Sequence, residues 1–189
     1  MNPTNESLMA AYGATGDERA FAILVKRCEG IVYSYALRAL GCPDEAEDVA
    51  QDVFLRVHSA RARYRPDRAF LSWLMTITVN LCRDRFRRSK SRPTSRAIPL
   101  DEIPEPSGPV DLCDPSAPLE RGESVRAIER AIADLPLSYR EAMILHYTQS
   151  LSIAQMAEIL GISRGAVETR LYRARLHLRH ALKNGREIR

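Results

Sequence analysis

Apolar residues recur along the chain at intervals of three and four, and no stretch alternates with a period of two between hairpin signals. The pattern therefore predicts helices and no strands. Phe21, Leu24, Val25, Cys28, Ile31, Val32 and Tyr35 share one face of a helix that Gly41 and Pro43 end. In the next helix Asp44, Glu45, Glu47 and Asp48 crowd the first turns, where the positive end of the helix dipole favours acids, and Val49, Val53 and Val57 form the inward stripe. Tyr64, Arg65, Pro66, Asp67 and Arg68 make a turn-rich loop before a third helix that starts near Ala69. Phe70, Leu74, Ile77 and Leu81 are its inward stripe, while Thr76, Asn80, Arg83 and Arg87 repeat the same spacing on a separate face.

The C-terminal part has its own punctuation. Val125, Ile128, Ile132 and Leu135 predict a helix stopped by Pro136, and Ser138 with Glu141 has capping-box spacing before a helix over Ala142 to Tyr147. Ser152 and Gln155 repeat that spacing ahead of Ile153, Met156, Ala157 and Leu160, and Gly161 ends this short helix. Ile162 can pack under the turn and Ser163 can cap a last helix, whose inward stripe is Val167, Leu171, Ala174 and Leu178. Helix, a turn of about three residues containing Gly, then helix is the helix-turn-helix pattern.

Between these parts the periodicity lapses. Seven of the 11 prolines fall between residues 93 and 120, so an all-α fold is expected: two small helical domains, at 1–92 and 121–189, joined by a flexible linker over 93–120. Charge follows the same division. Residues 1–92 carry 15 basic and 11 acidic side chains, the linker 1 and 6, and residues 121–189 carry 12 and 7, for a net charge of +4 over 189 residues. Two basic heads on an acidic tether fit one long anionic partner touched at two places. At roughly 3.3 Å per extended residue the tether reaches up to about 90 Å.

The remaining composition mainly excludes. At 45% hydrophobic and 28% charged, usage is that of a globular chain. The longest useful apolar run, Ala142 to Leu145, is far below the roughly 20 residues that cross a bilayer, and the first residues lack a secretory pattern. No membrane insertion and a cytoplasmic location are expected. Cys28, Cys42, Cys82 and Cys113 form no CxxC pair and no ligand spacing with His, which suits free thiols and no metal site. Met143, Leu145 and His146 read as core or its neighbours. No nucleophile motif, phosphate-binding Gly loop or H-x-x-x-H pair is present, so no catalytic residue, cofactor or enzymatic activity is expected.

Two faces carry chemistry. The third helix ends in Arg83, Arg85, Arg87, Arg88 and Lys90, opposed along its own sequence only by Asp84. Its outward face also offers Asn80, Thr76 and Trp73, the mixture of edge-bonding and stacking groups that single-stranded nucleic acid needs beside phosphate attraction. The last helix places Gly165, Thr169, Tyr172, Arg173 and Leu176 opposite its apolar stripe, flanked by Glu168 and Arg170. Arg can fork a guanine, Glu can accept from cytosine and Thr can touch a thymine methyl, so this face suits a major groove. Arg164, Arg170, Arg175 and Arg179 would supply phosphate contacts.

These stretches resemble a known family. DEAEDVAQDVFLRVH followed by YRPDRAFLSWLMTITVNLCRDRFRR is similar to region two, and LPLSYREAMILHYTQSLSIAQMAEILGISRGAVETRLYRARLHL to region four, of the extracytoplasmic-function (ECF) sigma factors of bacterial RNA polymerase, in the sigma-70 family. The resemblance implies that Asp48, Gln51 and Asp52 dock on the clamp helices of the largest (beta-prime) polymerase subunit. It implies that Arg65, Asp67, Trp73, Thr76, Asn80, Arg83, Arg87 and Arg88 bind and open the minus-ten promoter element. It further implies that Arg164, Glu168, Thr169, Arg170, Tyr172, Arg173 and Arg175 bind the minus-thirty-five element, with the second domain on the polymerase beta flap. The linker resembles the segment threading toward the RNA exit path, no large N-terminal inhibitory region is expected, and an anti-sigma factor is implied as a partner. Glu168 stands where some members carry a basic residue, so no relative's promoter sequence is carried over. The competing reading is a stand-alone helix-turn-helix regulator with an N-terminal sensor, and the first domain offers no alternating strand and helix pattern to build one.

Overall fold

A computed structural model of the protein describes residues 3–90, 128, 130–148 and 151–187, with the side chains of 90, 148 and 183–187 left aside, and every regular element among them is helical. Helix α1 (Asn5–Thr15) opens behind the cap Thr4, whose side chain accepts from Ser7 N, and closes at Gly16 with φ +70°. The hydrophobic pattern had not marked it. Its buried residues, Leu8, Met9 and Tyr12, are too few and too interspersed with Ala and Gly to show a stripe. Helix α2 (Glu18–Leu40) is capped by Asp17, which accepts from the N–H groups of Arg19 and Ala20, and ends at Gly41. Helix α3 (Pro43–Ala60) starts on Pro43, whose missing N–H has no intrahelical partner at that position anyway, and a 3-10 turn over Arg61–Arg63 follows. Helix α4 (Phe70–Lys90) begins one residue after the expected start.

Val49, Val53 and Val57 of α3 and Phe70 and Leu74 of α4 are fully buried, as their spacing requires, and each such side chain contributes about 2 kcal/mol relative to exposure. Ile77, expected in the α4 stripe, is only half-buried.

In the second group, residues 130–133 are helical and lead through a turn to α5 (Leu137–Thr148), α6 (Ile153–Leu160) and α7 (Arg164–Glu187). Ile128 is exposed, whereas Leu135 is buried. Val125, Cys113 and the expected linker at 93–120 lie outside the described residues. The capping box at Ser152 is formed in full: Gln155 N donates to Ser152 Oγ at 3.3 Å and Ser152 N to Gln155 Oε1 at 2.9 Å. The one expected at Ser138 is not. Helix α5 starts at Leu137, so Ser138 sits inside its first turn, and both carboxylate oxygens of Glu141 go elsewhere.

They go to the other group. Helix α5 packs on α2 and α6 packs on α4, so the two helical groups share one apolar core in place of standing apart. Arg83 of α4 grips Glu141 in a fork, Nε to Oε1 at 2.8 Å and Nη2 to Oε2 at 2.9 Å. Arg140 is buried and, among the described residues, donates to three carbonyls: Ala39 O at 2.6 Å, Leu135 O at 3.1 Å and Ala133 O. Ala39 lies in the last turn of α2, where the carbonyl end of the dipole favours a cation. Burial pushes the Arg140 pKa down, with nearby Asp134 opposing.

Candidate nucleic-acid interface

The turn before α7 sets its outward face. Gly161 sits at φ +68°, in the left-handed region that its lack of a Cβ permits, and its N–H donates back to α6. Ser163 Oγ then accepts the N–H of Ala166 at 3.2 Å, capping α7 as its sequence position suggested. Val167, Leu171 and Ala174 are buried, which turns Gly165, Glu168, Thr169, Tyr172 and Arg173 outward, all of them exposed. A Cβ added at Gly165 would meet nothing within 4 Å, so the face is open there. Thr169 donates its hydroxyl to Gly165 O at 2.8 Å, which leaves the oxygen's lone pairs and the methyl for a partner. Arg164 is exposed as well. Arg170 and Arg175 depart from expectation: both are half-buried, with Nη1 of the first and Nε of the second sunk below the surface and without a hydrogen-bond partner among the described residues. Part of each guanidinium therefore serves packing.

On the first group, the loop before α4 folds onto the helix through Tyr64. Its ring lies 5.9 Å from Phe70 and 5.2 Å from Trp73, and its hydroxyl donates to Arg68 O at 2.8 Å. Burial, with Glu6 and Asp67 adding to it, pushes the Tyr64 phenol up to about 12, so it remains a donor. Arg65 and Asp67 are exposed on this loop, and Asn80 is exposed on α4. Trp73 and Thr76 are half-buried: the indole leans into the Tyr64–Phe70 cluster, and the Thr76 hydroxyl donates to Ser72 O at 2.8 Å.

The cation run on α4 meets more acid than its own sequence supplies. Besides Arg83 with Glu141 and Arg87 with Asp84, Arg85 reaches Asp48 at 3.0 Å and Asp52 at 2.9 Å on α3. These bonds raise the pKa of Arg83 and of Arg85. Arg88 is exposed, beside Arg85 in the α3–α4 groove. Asp48 and Asp52 thus face outward while tied to α4, and Gln51 is exposed next to them. Neighbouring Leu55 is 64% exposed, at the rim of an apolar groove of about 550 Å³ formed with Phe21, Val25, Ala50 and Phe54. Spacing rules did not single out Arg85, Arg140 or Glu141 as bridging residues. The partners that tie them to the first group lie 33 to 101 residues away in sequence, beyond any local signal.

Among the described residues no group of His, Cys, Asp and Glu is assembled that could hold a metal ion, and no helix is long and apolar enough to cross a membrane. Cys28, Cys42 and Cys82 are free thiols.

Known proteins share the sequence pattern and the fold. The family models for Sigma-70 region 2 and Sigma-70 region 4 match residues 24–92 and 125–178. The chain is 35% identical over 179 residues to the ECF RNA polymerase sigma factor SigM of Mycobacterium tuberculosis, covering 95% of this chain and 85% of that protein. It is 33% identical over 176 residues to the ECF RNA polymerase sigma factor SigW of Bacillus subtilis, covering 89% and 92%. Its fold is similar to that of CnrH, solved in complex with the cytosolic domain of CnrY, with a TM-score of 0.67, 29% identity and coverage of 96% of this chain and 99% of that one. A stand-alone regulator would not bring region 2 with its helix-turn-helix, and that reading has no support. The chain belongs to the sigma-70 family, among the ECF sigma factors that direct RNA polymerase to promoters.

Proposed function

We propose a division of labour within this sigma factor in which residues 1–92 engage core polymerase and the minus-ten element, residues 121–189 engage the minus-thirty-five element, and residues 93–120 connect them. Glu168, Thr169, Tyr172 and Arg173 read base edges in the major groove, while Arg164, with the outer parts of Arg170 and Arg175, holds phosphates. Arg65 and Asp67 on the loop, with Trp73, Thr76 and Asn80 on α4, receive an unstacked base. Flipping one costs a few kcal/mol, which such a pocket offsets by stacking and edge bonds. Arg83, Arg87 and Arg88 hold the backbone; to fork a phosphate with Nε and Nη2, Arg83 must first give up Glu141. Asp48, Gln51 and Asp52, beside exposed Leu55, dock on the polymerase clamp helices, and the second group docks on the beta flap.

On this reading the protein works in the cytoplasm by binding alone, without making or breaking bonds, and an anti-sigma factor is its inhibitory partner. CnrH, of similar fold, was solved in complex with the cytosolic domain of CnrY, which shows that such a fold can hold a second protein chain. The observation that carries the proposal is the outward face of α7, exposed and polar behind a capped Gly turn. Run-off transcription with purified core polymerase and a promoter library tests it. Transcripts are expected to start at defined sites only when this chain is added, and permanganate footprints are expected to lose the open region with Asn80→Ala or Trp73→Ala. Initiation that proceeds equally well without the chain would refute it.

A further inference from the structure

Helix α1 left no mark in the hydrophobic pattern and lies before residues 24–92, which match region 2. Yet it touches both ends of the loop bearing Arg65 and Asp67. At the start of that loop Gly13 lies against the 3-10 turn: a Cβ added there would stand 3.0 Å from Arg61 O, closer than a side chain is normally accommodated against backbone. At the other end Glu6 Oε1 accepts the backbone N–H of Phe70, the first residue of α4, at 2.9 Å. The first N–H groups of a helix have no acceptor within it, and a carboxylate near the positive end of the dipole is a strong partner for one of them. A helix usually finds this acceptor in a Ser, Thr, Asp or Asn just ahead of it, but Arg68 and Ala69 stand there, and neither side chain can accept. The acceptor comes instead from a residue 64 positions earlier in the chain.

Between these two contacts, among the described residues, the loop is held by Tyr64, whose N–H donates to Arg61 O at 3.3 Å, whose hydroxyl holds Arg68 O and whose ring packs on Phe70 and Trp73, and by the turn bond from Arg68 N to Arg65 O at 3.1 Å. Ordering loop residues is entropically costly, and a base pocket tolerates only about 0.5 Å of error in its groups. A loop anchored at both ends on one rigid helix meets that requirement. We propose that α1 is a bracket that sets the shape of the minus-ten loop, with Glu6 and Gly13 as positioning residues for base recognition by Asp67, Trp73 and Asn80. The proposal rests on the assignment of that loop and α4 to the minus-ten element.

The test uses the full chain with core polymerase on promoters varied singly in the minus-ten and minus-thirty-five elements, read by permanganate reactivity and by transcript yield. Glu6→Ala is expected to lower opening about tenfold, the equivalent of about 1.4 kcal/mol, and to flatten discrimination among minus-ten bases. It leaves core binding and minus-thirty-five discrimination unchanged. Glu6→Gln, which keeps an acceptor oxygen, retains more of the discrimination, and Gly13→Ala flattens it from the other end of the loop. Wild-type opening and base preference in Glu6→Ala would overturn the proposal, as would a loss shared equally with core binding and minus-thirty-five reading, which marks a general folding defect. Should the wild-type chain itself show no minus-ten discrimination while still starting transcription, the site assignment falls first and the bracket with it.

Discussion

Helices α4 and α7 are both long, amphipathic and rich in arginine, and as sequences they invite the same reading. The fold treats them differently. On α4, Arg83, Arg85 and Arg87 each meet a carboxylate, from Glu141 of α5, from Asp48 and Asp52 of α3, and from Asp84 of the same helix. On α7 the outward positions Gly165, Glu168, Thr169, Tyr172 and Arg173 are exposed, while Arg170 and Arg175 sink partly into the surface. A run of cations therefore does not by itself make a phosphate-binding surface. What matters is which acids the tertiary fold brings alongside, and for Arg83 that acid is nearly sealed from water, Glu141 being 2% exposed at its side chain.

The sharpest break of this contrast is Arg83→Ala. It leaves Glu141 as a buried carboxylate without its partner, and a loss of about 3 kcal/mol is expected in urea unfolding, at the low end of the range for buried pairs because Arg83 is itself partly exposed. Glu141→Gln is expected to cost about half as much, and it releases Arg83 toward DNA.

Cys82 reports on the same junction. Burial first and Glu141 second push its thiol up to about 12, with Arg85 opposing. The neutral thiol is the form the fold favours, so its contribution to stability is fully present below about pH 9, the ordinary thiol value, and is lost as the pH rises toward about 12. Alkylation of Cys82 at pH 9 is expected to be negligible in the folded protein, to appear in urea, and to rise in Glu141→Gln. Rapid labelling of the native wild type would show the junction to be open.

On the α7 side, Arg173→Ala is expected to weaken holoenzyme binding to the promoter by about 2 kcal/mol and to relax base preference at one minus-thirty-five position, read by competition with promoters varied base by base. Ser152→Ala removes the cap that orients α6 ahead of this helix, and a stability loss of about 1 kcal/mol is expected in thermal unfolding. The smallest effect separates two cations of α4. Arg88→Ala should reduce the slope of log affinity against log salt by about 1, whereas Arg85→Ala should leave it nearly unchanged, because Asp48 and Asp52 already neutralise that guanidinium. Equal slopes for the two variants would erase the distinction drawn between paired and outward-facing arginines.

Much of this molecule was legible before folding. The stripe of α3, most of those of α2 and α4, the Ser152–Gln155 box, the Gly161 turn and the Ser163 cap are written in residues no more than a few positions apart, and they appear where periodicity put them, with Phe21, Val25, Ile31 and Ile77 only half-buried. The Ser138–Glu141 spacing was equally good locally and failed, because Arg83 offers Glu141 a charged fork that a backbone N–H cannot match. Helix α1 escaped notice because three buried side chains among small residues make no periodic signal. The Trp73 indole, placed outward by helical angle, leans instead toward Tyr64 of the preceding loop, which no helical wheel includes.

The sequence by itself determined the helical class, the helix ends at Gly41 and Gly161 and the identity of the outward face of α7, since each depends on interactions within one or two turns. Only the tertiary structure decided that the two groups share a core, that Arg83 and Arg85 of α4 are paired, and that α4 takes its N-terminal acceptor from α1. The physical reason is range: caps and stripes act between neighbours along the chain, whereas an ion pair or a borrowed acceptor requires residues 33 to 64 positions apart to meet, and only the packed core brings them together.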